Sequence, residues 1–105
     1  MIKVYLDDER QTPEGWERTY TVKETISRLE NKDVTHLSLD NDLGDLDPKT
    51  EGYQVLNWLE EEVYYDSTFP IPIITVHSSN QGRKPLMLLV VQKLERIRQQ
   101  QIGGQ

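Results

Sequence analysis

Val34-Thr35-His36-Leu37-Ser38-Leu39-Asp40-Asn41-Asp42-Leu43-Gly44 is the stretch that decides how this chain folds. Its first half is rich in β-branched and apolar residues, and its second half holds acids and turn formers. The pattern predicts a strand that delivers Asp40 and Asp42 at its carboxyl end. The same arrangement recurs on both sides. Upstream, Ile2-Lys3-Val4-Tyr5-Leu6 alternates and runs into Asp7-Asp8-Glu9-Arg10. Downstream, Pro70-Ile71-Pro72-Ile73-Ile74-Thr75-Val76 is a β-branched run, expected as a strand buried on both faces with its prolines at the start, and it leads into His77-Ser78-Ser79-Asn80-Gln81-Gly82.

Helical patterns fill the spaces between these strands. After the turn QTPEGW (Gln11 to Trp16), Trp16 to Tyr20 suits a short strand, and Thr21-Val22-Lys23-Glu24 has capping-box spacing, with Glu24 reaching back to the Thr21 backbone. Val22, Ile26 and Leu29 share one face of the helix that follows, and Asn31-Lys32-Asp33 closes it. The segment from Leu43 to Glu51, with Gly44, Asp45, Asp47 and Pro48, predicts a flexible loop. A second helix over 52–63 would bury Val55, Leu56, Leu59 and Val63, with Trp58 at the edge of that stripe. A last helix, entered through Pro85, turns Met87, Val90, Val91, Leu94 and Ile97 inward, and the tail QQQIGGQ is expected to fray. Alternating strands and helices predict an α/β fold with a mostly parallel sheet, whose right-handed crossovers bring the three polar clusters to one edge.

Composition narrows the function. A length of 105 residues suits a single domain, 1–105. The absence of cysteine rules out disulfides and thiolate metal sites, and the lack of a signal-like start or a long apolar run predicts a soluble, cytoplasmic protein with no membrane partner. A formal charge of -6 argues against broad binding to DNA and leaves room for a small phosphorylated substrate or one nucleic-acid end. Oligomeric state stays open.

Either acid pair taken alone reads equally well as a solvated strand end or turn. Together, Asp7, Asp8, Asp40 and Asp42 supply hard oxygen ligands without sulfur, a set that suits Mg²⁺ or Mn²⁺ better than Zn²⁺. His77, beside Ser78, Ser79 and Asn80 and just before a helix, stands where acid-base work on an anion is expected, although Ser79 and Asn80 also read as helix-capping residues. His36, in mid-strand, reads as a packed or edge histidine. Arg10, Ser78, Asn80 and Arg83 are candidates to hold phosphate oxygens, with Lys84 a weaker one; the arginines could instead pair with acids such as Glu9. Trp16 and Tyr53 could stack on a base or serve as the rim of the core.

With these residues in place, the sequence resembles response-regulator receiver domains: the acids Asp7 and Asp8, the aspartate Asp40 after the third strand and the helix start Gly52-Tyr53-Gln54-Val55-Leu56 all match. The receiver's Ser or Thr position falls on His77, its lysine-bearing fifth strand is absent, and QTPEGW replaces most of its first helix. A closer similarity is to the cyclic-phosphate-processing receiver-like domains, carried by LDDER-x-x-P with Gly15-Trp16, by SLDNDLG (Ser38 to Gly44) and by VHSSNQGR (Val76 to Arg83). The resemblance spans nearly the whole chain. It implies a small, flavodoxin-like, three-layer fold with a shortened four-stranded sheet, and a phage or bacterial setting.

The resemblance implies action on cyclic phosphates of nucleotides or RNA ends, and the convergence of both acid clusters with His77 points to metal-dependent phosphoester hydrolysis as that action. In this reading Asp7, Asp8, Asp40 and Asp42 hold Mg²⁺ or Mn²⁺, and His77 and Asp40 act catalytically. The alternative is a non-enzymatic, degenerate receiver that binds metal or a phosphorylated ligand, or accepts phosphate on Asp40.

Overall fold

The computed structural model describes residues 1–43 and 51–103. In chain order the elements are β1 (Ile2–Leu6), β2 (Glu17–Thr19), α1 (Val22–Leu29), β3 (Val34–Leu39), α2 (Tyr53–Tyr65), β4 (Ile73–Val76) and α3 (Lys84–Gly103). The loop expected around Gly44, Asp45, Asp47 and Pro48 lies outside the described residues. All strand pairings are parallel, in the order β2-β1-β3-β4, which makes this a small receiver-like α/β fold.

This order dictates where the helices go. The moves from β2 to β3 and from β3 to β4 run in the same direction across the sheet, so right-handed crossovers put α1 and α2 on one face. α3 packs on α2 and joins the same core through Met87 and Leu94. Alternation then sends Val4, Leu6, Leu37 and Leu39 toward the helices, and all four are fully buried. The move from β1 to β2 runs the other way, so its connection belongs to the opposite face. That connection is the QTPEGW turn, too short for a helix. The three layers expected are therefore two among the described residues, with the third reduced to this crossover.

Two further expectations change. β4 is not buried on both faces: Ile73, 42% exposed, and Thr75, also exposed, point to the side of the sheet that carries no helix among the described residues, while Ile74 and Val76 pack on the core. The glutamine-rich tail does not fray at Gln99, since α3 continues to Gly103. Gln101 ties it down by donating to the carbonyls of Ser67 at 3.0 Å and Phe69 at 2.7 Å.

Local chemistry explains the remaining elements. The Thr21 hydroxyl accepts the Glu24 N–H at 3.1 Å, and the Glu24 carboxylate reaches back one residue further than expected, accepting the Tyr20 N–H at 2.9 Å. In α1, Thr25 and Leu29 are buried while Val22 and Ile26 are half-buried. Lys32, at φ 62°, turns the chain out of the helix. The stripe Val55, Leu56, Leu59 and Val63 of α2 is buried as the periodicity predicts, and Trp58 lies half-buried, edge-on to Phe69.

Candidate functional site

Register brings the polar clusters together. Leu6, Leu39 and Val76 are aligned across β1, β3 and β4, so the next residues, Asp7, Asp40 and His77, emerge side by side. Backbone bonds extend the ladder to this row: Asp40 N–H donates to the Leu6 carbonyl at 3.0 Å and His77 N–H to the Leu39 carbonyl at 2.9 Å. One ligand atom from each of Asp7, Asp40 and His77 lies within 4.8 Å of the other two.

The imidazole is held on three sides. Its Nε2 lies 3.0 Å from Asp7 Oδ2, its Nδ1 lies 2.7 Å from Ser38 Oγ, and its ring is stacked flat on Tyr5 at 4.3 Å between centroids. Asp7 is fully buried, and its other oxygen accepts the N–H groups of Glu9 at 2.8 Å and Arg10 at 2.9 Å. Burial alone would push the Asp7 carboxyl up; the two amides and the His77 ring together hold it below the usual carboxylate value. An ionised Asp7 only accepts, so Nε2 carries the proton of the neutral ring and Nδ1 accepts from the Ser38 hydroxyl. Burial also depresses the His77 pKa below 6.5, against the opposing pull of Asp7 and Asp40. Asp40 shifts the other way: burial raises its pKa, and the nearby Asp7 charge adds to the rise.

This arrangement predicts a titration. His77 should titrate by NMR below 6.5, and Asp7→Asn should lower its midpoint further, because the hydrogen bond and charge that favour the imidazolium are gone. An unchanged or raised midpoint in Asp7→Asn would contradict the assignment. A depressed native pKa means the unfolded chain binds this proton more readily. The stability His77 contributes is therefore complete above about pH 6.5 and is lost as the pH falls toward the native value.

The other candidates stand further out. Asp8 is half-buried on the turn, outside the three-residue cluster. Asp42 is exposed and accepts from Asn80 Nδ2 at 3.1 Å and Asn41 Nδ2 at 3.2 Å. Asn80 organises the start of α3, its side-chain oxygen accepting the N–H groups of Gly82 and Arg83, while the Ser78 hydroxyl accepts the Asn80 N–H at 3.0 Å. Arg10 donates to the His77 carbonyl and lies 3.7 Å from Asp7 Oδ2. Arg83 pairs with Glu51 at 3.1 Å and lies over the Tyr53 ring. His36 is half-buried in mid-strand, with its Nδ1 2.9 Å from Thr35 Oγ1.

Sequence reasoning passed over Ser38, Tyr5 and Asn41. Ser38 was visible as the one polar residue two positions before Asp40, on the same side of the strand. Tyr5 bears the same relation to Asp7. Asn41, read as a turn former, is fully buried; its side-chain oxygen accepts the Tyr53 N–H at 3.0 Å and its carbonyl accepts the Gly52 N–H at 2.9 Å, which fastens α2 to the Asp40 loop. Comparison with known families gives a match over residues 2–93 to the cyclic-phosphate processing receiver domain. The chain belongs to this family. No curated protein and no solved structure matches it. Within this receiver-like domain the Asp7, Asp40 and His77 cluster lies at the carboxyl ends of β1, β3 and β4, and no helix among the described residues is long and apolar enough to cross a membrane.

Proposed function

We propose that this domain hydrolyses cyclic phosphates on nucleotides or RNA ends with the help of a divalent cation. The observation that carries the reading is the meeting of two carboxylates and an imidazole within 4.8 Å at the carboxyl edge of a parallel sheet. The donor set fits a cation: Asp7 and Asp40 are acids close enough for one charge to raise the pKa of the other, and a cation would relieve that repulsion. The carboxylate oxygens of Asp7 and Asp40 are hard donors that suit Mg²⁺ or Mn²⁺, and in this reading they would hold the ion while the His77 ring is left to proton transfer. Such an ion, when bound, supplies phosphate neutralisation and an acidified water.

The residues of the chain account for the proton. Hydrolysis forms a bond from water oxygen to phosphorus and breaks one ring P–O bond, and the proton released by the water ends on the freed ester oxygen. In this reading His77 carries it. Ser38 serves both protonation states of the ring, donating to a bare Nδ1 and accepting from a protonated one. Arg10, beside Asp7 and His77, is the candidate cation nearest the cluster and would turn from the His77 carbonyl to a phosphate oxygen; Arg83 must first leave Glu51.

One observation favours a second reading. Both ring nitrogens of His77 are already hydrogen-bonded, which is what a binding module without turnover would show. Calorimetry with a 2′,3′-cyclic nucleotide and Mn²⁺ separates the two. The hydrolase reading expects the ligand to be recovered as the monoester, whereas saturable binding with the ligand recovered intact supports the module. Phosphate acceptance on Asp40 is a third case, tested by a beryllofluoride-induced change at that residue.

A further inference from the structure

The backward crossover from β1 to β2 leaves one face of the sheet without a helix among the described residues. A face built to receive a helix would be aliphatic throughout; this one is basic and aromatic over β1, β2 and the start of β3, with the exposed Ile73 and Thr75 of β4 at its far edge. Lys3 and Tyr5 point to it from β1, Arg18 from β2 and His36 from β3, with Trp16 laid edge-on to Tyr5 at 6.2 Å and to His36 at 6.3 Å. The Lys3 ammonium stands 5.7 Å from the centre of the Trp16 ring, and the Arg18 guanidinium lies over Tyr20, which is 51% exposed. Although the chain carries a formal charge of -6, no strand residue directed to this face is acidic until the row of Asp7 and Asp40 at its end. The aromatic row also reaches that end, because Tyr5 lies flat under His77.

We propose that this open face carries the single-stranded RNA that leads to the cyclic phosphate, with Trp16 as a base platform and Lys3 and Arg18 on backbone phosphates. The inference rests on the reading of the His77 site as one that takes a nucleotide cyclic phosphate. Its physical basis is general: every base has a π-face, so stacking on an indole tolerates any sequence, and cations beside the ring pair with the phosphates between bases. Tyr5 is buried beneath His77, but Trp16 with Lys3 and Tyr20 with Arg18 give two aromatic-cation pairs on this side, so the face fits a strand better than a mononucleotide. Acidity elsewhere on the chain confines binding to this stripe.

The test compares a pentanucleotide RNA ending in a 2′,3′-cyclic phosphate with the mononucleotide bearing the same end, both in EDTA so that neither is consumed. The pentanucleotide should bind about tenfold more tightly or better, and the gain should shrink as salt rises. Lys3→Glu and Trp16→Leu should each remove most of that gain; Lys3→Glu, on an open strand face, keeps the test decisive if the Trp16 variant does not fold. Equal affinities, or a gain that survives Lys3→Glu, would overturn the proposal. So would sedimentation showing a dimer that Lys3→Glu dissociates, since a second copy would then cover the face. Adding Mn²⁺ separates this idea from the one beneath it. Hydrolysis of the mononucleotide with no gain from length removes the platform and leaves the reaction standing, and length-dependent binding without hydrolysis of either ligand does the reverse.

Discussion

Replacing His77 with alanine is expected to lower turnover of a 2′,3′-cyclic nucleotide by about 10²–10⁴-fold, the range for a removed general acid or base. The expectation follows from its placement. His77 is the one imidazole at the carboxyl edge, and its ring is fixed by Asp7 at 3.0 Å, Ser38 at 2.7 Å and the face of Tyr5. Ser38→Ala should have a smaller effect on rate, and because it frees Nδ1 it should also change the tautomer populations seen in the nitrogen shifts of the ring. Steady-state rates, measured beside a fold check by circular dichroism, decide the matter. Turnover in a folded His77→Ala variant equal to that of the natural chain would remove His77 from the chemistry.

Gly52→Ala is expected to be the most damaging small change to the fold. Gly52 sits at φ -56°, an angle open to any residue, so conformational freedom does not explain the glycine. Space does. A methyl group there would collide with the Asp40 carbonyl oxygen and stand 2.9 Å from its carbon, and both belong to backbone that cannot swing aside. Relief requires α2 to back away from the loop, stretching the bonds that Asn41 makes to Gly52 and Tyr53. Overpacking of this kind costs about 1–3 kcal/mol, or a fall in melting temperature of roughly 5–20 °C for a chain of this size. The same movement displaces Asp40, so cation affinity should fall as well. Gly82→Ala is the control, because its added carbon would meet only Asn80 Oδ1 at an ordinary 3.6 Å. If the two variants melt together, the close approach of α2 is not a constraint.

Much of this was legible in the sequence, for identifiable reasons. Strands that end in acids, and the i, i+4 stripe of α2, are local patterns whose meaning survives folding, so β1, β3 and α2 were read with nearly their observed bounds. The convergence of Asp7, Asp40 and His77 followed from the topology of parallel strands. What escaped depended on neighbours. β4 has the composition of a strand buried on both faces, but the exposure of Ile73 and Thr75 is set by whether a helix covers their side of the sheet, which no local pattern encodes. Pleat direction separates Asp7, on the same face as Tyr5, from Asp8, whereas Asp40 and Asp42 share a parity and differ because Asp42 lies on the loop beyond the strand, where Asn80 engages its side chain. The helix-free face was implicit in QTPEGW and became plain only with the strand order.

The proposed function requires Asp7, Asp40 and His77 to act as one cation-dependent site that opens a cyclic phosphate. Chromatographic assay of 2′,3′-cyclic nucleotide hydrolysis, with Mn²⁺ and after chelation, for the natural chain and Asp40→Asn tests it most directly. Conversion to the monoester by the natural chain is expected only when the metal is present, and is expected to be lost in Asp40→Asn. No turnover by the natural chain with Mn²⁺ or Mg²⁺, or the same turnover in Asp40→Asn, would contradict it.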